Sequence, residues 1–339
     1  MSFKRLDLED ISISAESVVA PMWSTNTLQL STFFTSSAQI AAGTGDFYYR
    51  VYDKDPSIDS TPEQQFAIAF GDKTGRGTAP YNANVQGNSS TSTVYGQYRS
   101  LIFGDEDTSF TFQNQTSDYI YIITLDRARY KEKLLPGTFN LTLGVGSNRI
   151  NLTDNSNNIS TVSYVDAGRI YDIISGSNGV PPTGKTGLNA LGGSYGKFLP
   201  DVGLIVLNGT ALTTAFGGEG GIGLVVTLGT TRPTPSNLTN LFNAIKLGSS
   251  FKLQSEETVS SNYIFVRVRN SEFNYSTNPS NITGSGELRH DVMVNSPQAY
   301  ITTVGLYNDN NDLLGVAKLS RPLLKDFTKE ALVRIKLDY

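Results

Sequence analysis

ITTVGLYNDNNDLLGVAKLSRPLLKDFTKEALVRIKLDY, residues Ile301 to Tyr339, reads as a β-hairpin, a lysine-bearing linker and a final amphipathic strand. Ile301, Val304 and Leu306 approach a polar run at Asn308-Asp309-Asn310-Asn311, and Leu313, Leu314 and Val316 leave it. Asn and Asp tolerate left-handed backbone and bond their own main chain, so this run is turn chemistry. In the last strand Val333, Ile335 and Leu337 fall on one face and Arg334 and Lys336 on the other, the period of a half-buried strand. A cationic outer face also discourages stray edge pairing.

Outward from this segment the same grammar recurs. Tyr263 to Arg269 alternates, as does Phe47 to Tyr52, and Tyr119 to Leu125 (YIYIITL) is a continuous apolar run expected to be a buried strand. Helices are fewer. Ser60-Thr61-Pro62-Glu63 has the spacing of a capping box and predicts a short helix from Gln64 to Phe70. A second is expected over Asp126 to Leu135, halted by Pro136-Gly137. Asn237 to Gly248 places Leu238, Leu241, Phe242 and Ile245 on one helical face, with Gly248 expected as the left-handed stop. Gly71 to Thr93, rich in Gly, Asn, Ser and Thr, reads as a long loop. The fold class is therefore mainly β, in sandwich- or barrel-like modules with a few short helices. Four segments are expected: an extended arm over 1–40, a β-rich core over 41–135, a Gly- and Asn-rich inserted β domain over 136–235, and a helix with a C-terminal β attachment module over 236–339, which can pair with 41–135.

Several stretches carry a resemblance. FVRVRNSEFNYSTNPSNITGSGELRHDVMVNSPQAYITTVGLYND from Phe265, followed by LLGVAKLSRPLLKDF, is similar to the C-terminal part of virion proteins of T-even-type contractile-tailed phages, those of cyanobacteria especially. MSFKRLDLEDISIS, EQQFAIAFGDKTGRG with VYGQYRSLIFGDED, and AGRIYDIISGS with SYGKFLPDVGLIVLN resemble the same group. The resemblance implies a non-enzymatic tail protein, a wedge-type baseplate component. Its partners would be other tail and baseplate proteins, several copies to a particle, and its place the virion tail after synthesis in the host cytoplasm. A receptor- or carbohydrate-binding tail or fibre protein, and a neck or capsid decoration protein, are the alternative readings.

Composition bounds the answer independently. Only 17% of the 339 residues are charged, against about 25% in typical domains, while Gly (32), Tyr (17) and Phe (17) are plentiful. That mixture suits short strands joined by turns. Net charge is −4 and no basic stripe is visible, which disfavours nucleic acid or an anionic membrane as partner. No window approaches eighteen consecutive apolar residues, and the first residues lack a secretory h-region, so no membrane insertion and a soluble product are expected. On the same ground the nine Asn-x-Ser/Thr sequons are read as chance in an Asn-, Ser- and Thr-rich chain. Cysteine is absent, which removes disulfides, thiolate metal sites and cysteine nucleophiles together.

No motif carries chemistry, and neither a cofactor nor a metal is expected. Gly179-Val180-Pro181-Pro182-Thr183-Gly184-Lys185-Thr186 fits the G-x-x-x-x-G-K-[ST] pattern of a phosphate-binding loop. Its two prolines delete N–H donors that phosphate needs, and Gly187, Gly192, Gly193 and Gly196 discourage the helix that must follow. GLIVLN then ends in Asn208 where a metal-organising Asp belongs. His290 is the single histidine, flanked by Arg289 and Asp291 before a strand, and reads as a surface residue. Asp105-Glu106-Asp107, Asp201, Glu219, Glu256-Glu257 and Asp309 with Asp312 are carboxylates that a glycan hydrolase could use, or solvated turns and strand ends. Asp309 to Asp312 lacks the EF-hand register. Tyr48, Tyr49, Tyr52, Tyr95, Tyr98, Tyr119 and Tyr121 fit an interface, a sugar-binding face or ordinary strand cores. The interface candidates are Leu306, Tyr307, Leu313 and Leu314 in the hairpin and Val333, Ile335 and Leu337 in the last strand; each is equally compatible with core.

Overall fold

A computed structural model describes residues 3–35, 48–77, 90–216, 220–229 and 236–338. The chain divides into a larger compact unit, Val18–Glu257, and a smaller one made of Met1–Ser17 with Thr258–Tyr339. It is mainly β, 42% strand against 15% helix, as its composition requires.

In chain order the strands begin with β1 (Ile11–Pro21), β2 (Gln29–Leu30), β3 (Tyr48–Tyr52) and β4 (Gln64–Asp72), followed by helix α1 (Ser90–Phe103). Then come β5 (Phe110–Phe112), β6 (Gln115–Ser117), β7 (Tyr119–Leu125), β8 (Lys133–Leu134), β9 (Asn140–Val145) and β10 (Asn148–Asp154). Next are β11 (Ser163–Val165), β12 (Gly168–Ser175), β13 (Gly196–Leu199) and β14 (Leu204–Asn208), with helices α2 (Gly209–Thr213) and α3 (Ser236–Gly248). The chain closes with β15 (Ser250–Lys252), β16 (Gln254–Val268), helix α4 (Asp291–Asn295), β17 (Ala299–Tyr307), β18 (Leu313–Lys325) and β19 (Ala331–Asp338).

The larger unit is built on one curled antiparallel sheet in the order β2-β15-β9-β10-β12-β13-β14-β7-β4-β3, with β11 added on β12. Strands from 41–135 and from 136–235 thus share this sheet. Its centre is the expected buried strand β7, in which Ile123 lies between Ile205 of β14 and Ile68 of β4. One face carries the main core, where Trp23, Phe33, Phe66, Phe139 and Phe251 meet edge to face or tilted. The opposite face packs Tyr95 and Ile102 of α1 over Phe110, Ile120 and Val206.

Local signals were overridden at three places. The helix expected over Gln64–Phe70 is instead β4, because Phe66, Ile68 and Phe70 recur every second residue and all three are buried. The capping donors went elsewhere: Asp59 Oδ1 accepts the Thr61 N–H at 2.8 Å and Asp53 Oδ1 the Glu63 N–H at 2.8 Å. The helix expected over 126–135 shrinks to one 3-10 turn at Arg127–Arg129, followed by β8. Of the loop expected from Gly71 to Thr93, residues 78–89 lie outside the described residues, and Ser90 already begins α1. Helix α3 forms where expected, with Leu238, Leu241, Phe242 and Ile245 buried. Its left-handed stop is Ser249 (φ 49°) rather than Gly248. Gly248 serves close approach: a Cβ there would lie 1.8 Å from the Thr142 carbonyl oxygen of β9.

In the smaller unit β16 runs between β1 and β19, and β17 pairs with β18 as a separate hairpin. Its core cluster is three residues, Ile264, Val333 and Ile335.

Candidate functional site

The hairpin has the turn its sequence demands. Asn308 Oδ1 accepts the N–H groups of Asn310 and Asp312 at 3.0 and 2.8 Å, and Asn311 is left-handed at φ 65°. Across the ladder Val304 faces Ala317, Leu306 faces Gly315 and Tyr307 faces Leu313, with irregularities after Ile301 and after Leu306. Val304, Leu306, Ala317 and Leu319 pack with Leu6 and Val266 against Ile264, Val333 and Ile335. Tyr307, Leu313, Leu314 and Val316 are exposed, Leu314 at 70%, and the Phe3 ring meets Tyr307 edge-on at 5.1 Å.

Strand β19 alternates as read from sequence: Ala331, Val333 and Ile335 are buried while Leu332, Arg334 and Lys336 are exposed. Leu337 is exposed too, because it pairs with Asn262 beyond the end of the apolar cluster. The structure therefore gathers Leu306, Val333 and Ile335 into one packed layer and leaves Tyr307, Leu313, Leu314 and Leu337 facing solvent. On the other face of β16 and β19, Arg334 and Lys336 sit over the Tyr263 ring at 5.6 and 5.8 Å. Arg267 donates to Glu330 at 2.8 Å and holds its carboxylate below the usual range. The Ser261 hydroxyl, then Lys336, do the same for Asp338.

One group at this end had no sequence signal. Lys325, at the end of β18, is fully buried. Its ammonium donates to Asn274 Oδ1 at 2.6 Å and to the carbonyls of Asp326 and Asn270 at 2.9 and 3.0 Å. Three protons meet three acceptors, which is the condition for keeping a buried cation. Phe3, Val292, Val294, Phe327 and Leu332 are further large apolar side chains exposed on this unit that sequence reading did not single out. Isolated apolar residues in polar surroundings give no period to detect.

The candidate motifs for chemistry remain dispersed. In the phosphate-loop lookalike, Lys185 is exposed, Gly184 and Gly187 are left-handed, and the next element is strand β13 rather than a helix. His290 is exposed and precedes α4, not a strand. Asp201 is paired with Arg169 at 2.6 Å; burial raises its pKa, but the Arg169 hydrogen bonds outweigh this and hold it low. Glu219 lies outside the described residues. Among the described residues no group of three or more His, Cys, Asp or Glu is placed to hold a metal, and no helix is long and apolar enough to cross a membrane. Of the tyrosines, Tyr49, Tyr95 and Tyr121 are core and Tyr48 is exposed. Asp154 is a buried carboxylate of the larger unit, as are Asp53 and Asp72: it accepts the Gly137 N–H at 2.9 Å and the Ser156 N–H at 2.9 Å, yet burial pushes its pKa up. No protein-family model, curated protein or solved structure matches this chain.

Proposed function

We propose that the chain is a non-enzymatic structural subunit of a phage virion, a wedge-type component of a contractile-tail baseplate that works by packing against other tail proteins. The observation that carries this reading is the smaller unit, whose three-residue core sits among exposed Phe3, Leu8, Ile13, Val292, Tyr300, Leu314, Val316, Phe327 and Leu332. Large apolar side chains concentrated on so sparse a core favour burial by a neighbour. The resemblance of the stretch from Phe265 onward to phage virion proteins supplies the kind of neighbour. Immunogold electron microscopy of the phage particles, with antibody against the purified chain, tests it: gold at the tail tip in extended and contracted tails is expected. Gold at the neck or head would replace baseplate by collar or decoration, and unlabelled particles whose epitopes are accessible after mild dissociation would overturn the virion reading.

A further inference from the structure

We propose that two copies of this chain associate through the free edge of β1, antiparallel about a two-fold axis at Ser14. This goes beyond the virion assignment, since it concerns the purified chain and holds wherever in a particle that chain resides.

Strand β1 spans Ile11–Pro21, eleven residues, about twice the usual strand length. Among the described residues its one strand partner is β16, so from Ser12 to Glu16 no other described strand ladders along its outer side. Both faces are open as well: Ile13 is 70% exposed, and Ser12, Ala15 and Glu16 are exposed. Native edges are normally blunted by Lys, Pro, bulges or shortness. The opposite edge of the same sheet obeys this rule, since β19 presents Arg334 and Lys336. The hairpin obeys it too, with Lys318, Arg321 and Pro322 on β18 and two irregularities in its ladder. From Ile11 to Ala20, β1 has no Lys, Arg or Pro and a single charge, Glu16. An unguarded edge of this kind fits another extended strand.

The sequence of the edge identifies a second copy as that strand. With Ser14 opposite itself, Ile13 lies beside the partner's Ala15 on one face, and Ser12 lies beside the partner's Glu16 on the other. Apolar meets apolar, and each carboxylate meets a hydroxyl. The two Glu16 carboxylates are then four residues apart along the strands, about 13 Å at 3.3 Å per residue. That exceeds the Debye length of about 10 Å at 0.1 M salt. Centring the axis on Glu16, or pairing the strands parallel and in register, would set the two carboxylates directly side by side, which is destabilising. The same patch serves both copies, as a closed two-fold interface requires. It joins two four-stranded sheets, each made of β1, β16, β19 and β8, into one of eight strands.

Sedimentation velocity of the full chain over a concentration series should show a monomer–dimer equilibrium. The chain has no cysteine, so a single introduced thiol reports the register. Directly opposed residues have Cα atoms about 4.5–5.5 Å apart, inside the disulfide range of about 4.4–6.8 Å. Ser14→Cys should oxidise to a covalent dimer of twice the mass, and Ile11→Cys, six residues from its own symmetry mate, should not. Ser14→Lys should weaken self-association about fivefold through directly opposed like charges, and mixing it with Ser14→Asp should restore dimer. A wild-type chain that stays monomeric at every concentration overturns the proposal, as does equal cross-linking by Ser14→Cys and Ile11→Cys, or a dimer indifferent to Ser14→Lys.

Discussion

Among the described residues the larger unit holds a continuous cluster of thirty-six buried apolar residues and the smaller unit a cluster of three. Both are antiparallel β structures from one chain, so strand-forming composition alone does not decide whether a region stabilises itself. What differs is closure. In the larger unit the sheet curls so that Phe33, Phe66, Phe139, Phe198 and Phe251 meet across one interior, and helix α3 adds Leu241 and Ile245 to it. In the smaller unit the hairpin covers one side of β16 and β19 at three positions and leaves its own outer face exposed. The first unit is completed by its own sequence, and the second has apolar surface to spare.

The largest effect should come from the self-sufficient side. Phe66 is fully buried against Trp23, Phe33 and Phe251, and Phe66→Ala should cost about 4 kcal/mol. Trp23 is the single tryptophan, so its fluorescence during chemical denaturation follows this unit alone. In the smaller unit the expected weak point is polar. Lys325→Met leaves the buried Asn274 Oδ1 and two partly buried carbonyls without their donor and should cost about 3 kcal/mol. Hydrogen exchange should rise over β17 and β18 while the Trp23 transition stays in place; a shift of that transition would break the comparison, since the two units would then unfold as one.

Acidity should separate the units further. In the smaller unit Glu272 is held below the ordinary carboxylate range by the Arg269 N–H and Lys4, and Asp338 by the Ser261 hydroxyl and Lys336. Groups lowered by folding stabilise above that range, and the contribution is lost as pH falls through their lowered values. Asp154 in the larger unit runs the other way, since burial raises its pKa. Its contribution is fully present below the ordinary range and is lost as pH rises through the raised value. Hydrogen exchange in the smaller unit should therefore rise as pH falls through the lowered values of Glu272 and Asp338, and Asp154→Asn should remove the loss of stability that its raised pKa causes in the larger unit as pH rises. The smallest effect belongs to the exposed stack: Arg334→Ala removes one cation from the Tyr263 face and should change stability by about 0.5 kcal/mol.

Sequence pattern revealed what is local and periodic. The run Tyr119 to Leu125, the helical face of α3 and the alternation of β19 were each legible because burial there follows a fixed period. It misled where a distant group decides. The capping spacing before β4 meant nothing once Asp53 and Asp59 took the loop N–H groups. Helix α1 was hidden because SSTSTVYGQYRS is polar, and Tyr95 becomes core only when Phe110 and Phe112 fold beneath it. Of the interface candidates, alternation placed Val333 and Ile335 correctly on one face, but no period says that the hairpin's cover ends before Leu337. Lys325 gives no sign in sequence because its three acceptors lie in another loop and in its own neighbour.

The register of β16 with β19 has a mechanical consequence. Ser261 pairs with Asp338 and Val268 with Ala331, so the entry of β16 and the exit of β19 lie at the same end of the ladder. A pull applied between those ends peels the pairs one at a time, like a zipper, and does not load all eight together in shear. The first link to yield is the 2.6 Å bond from the Ser261 hydroxyl to Asp338. Tension in that direction would release β19 at low force and bare Val333 and Ile335, whereas tension along the sheet would meet the whole ladder.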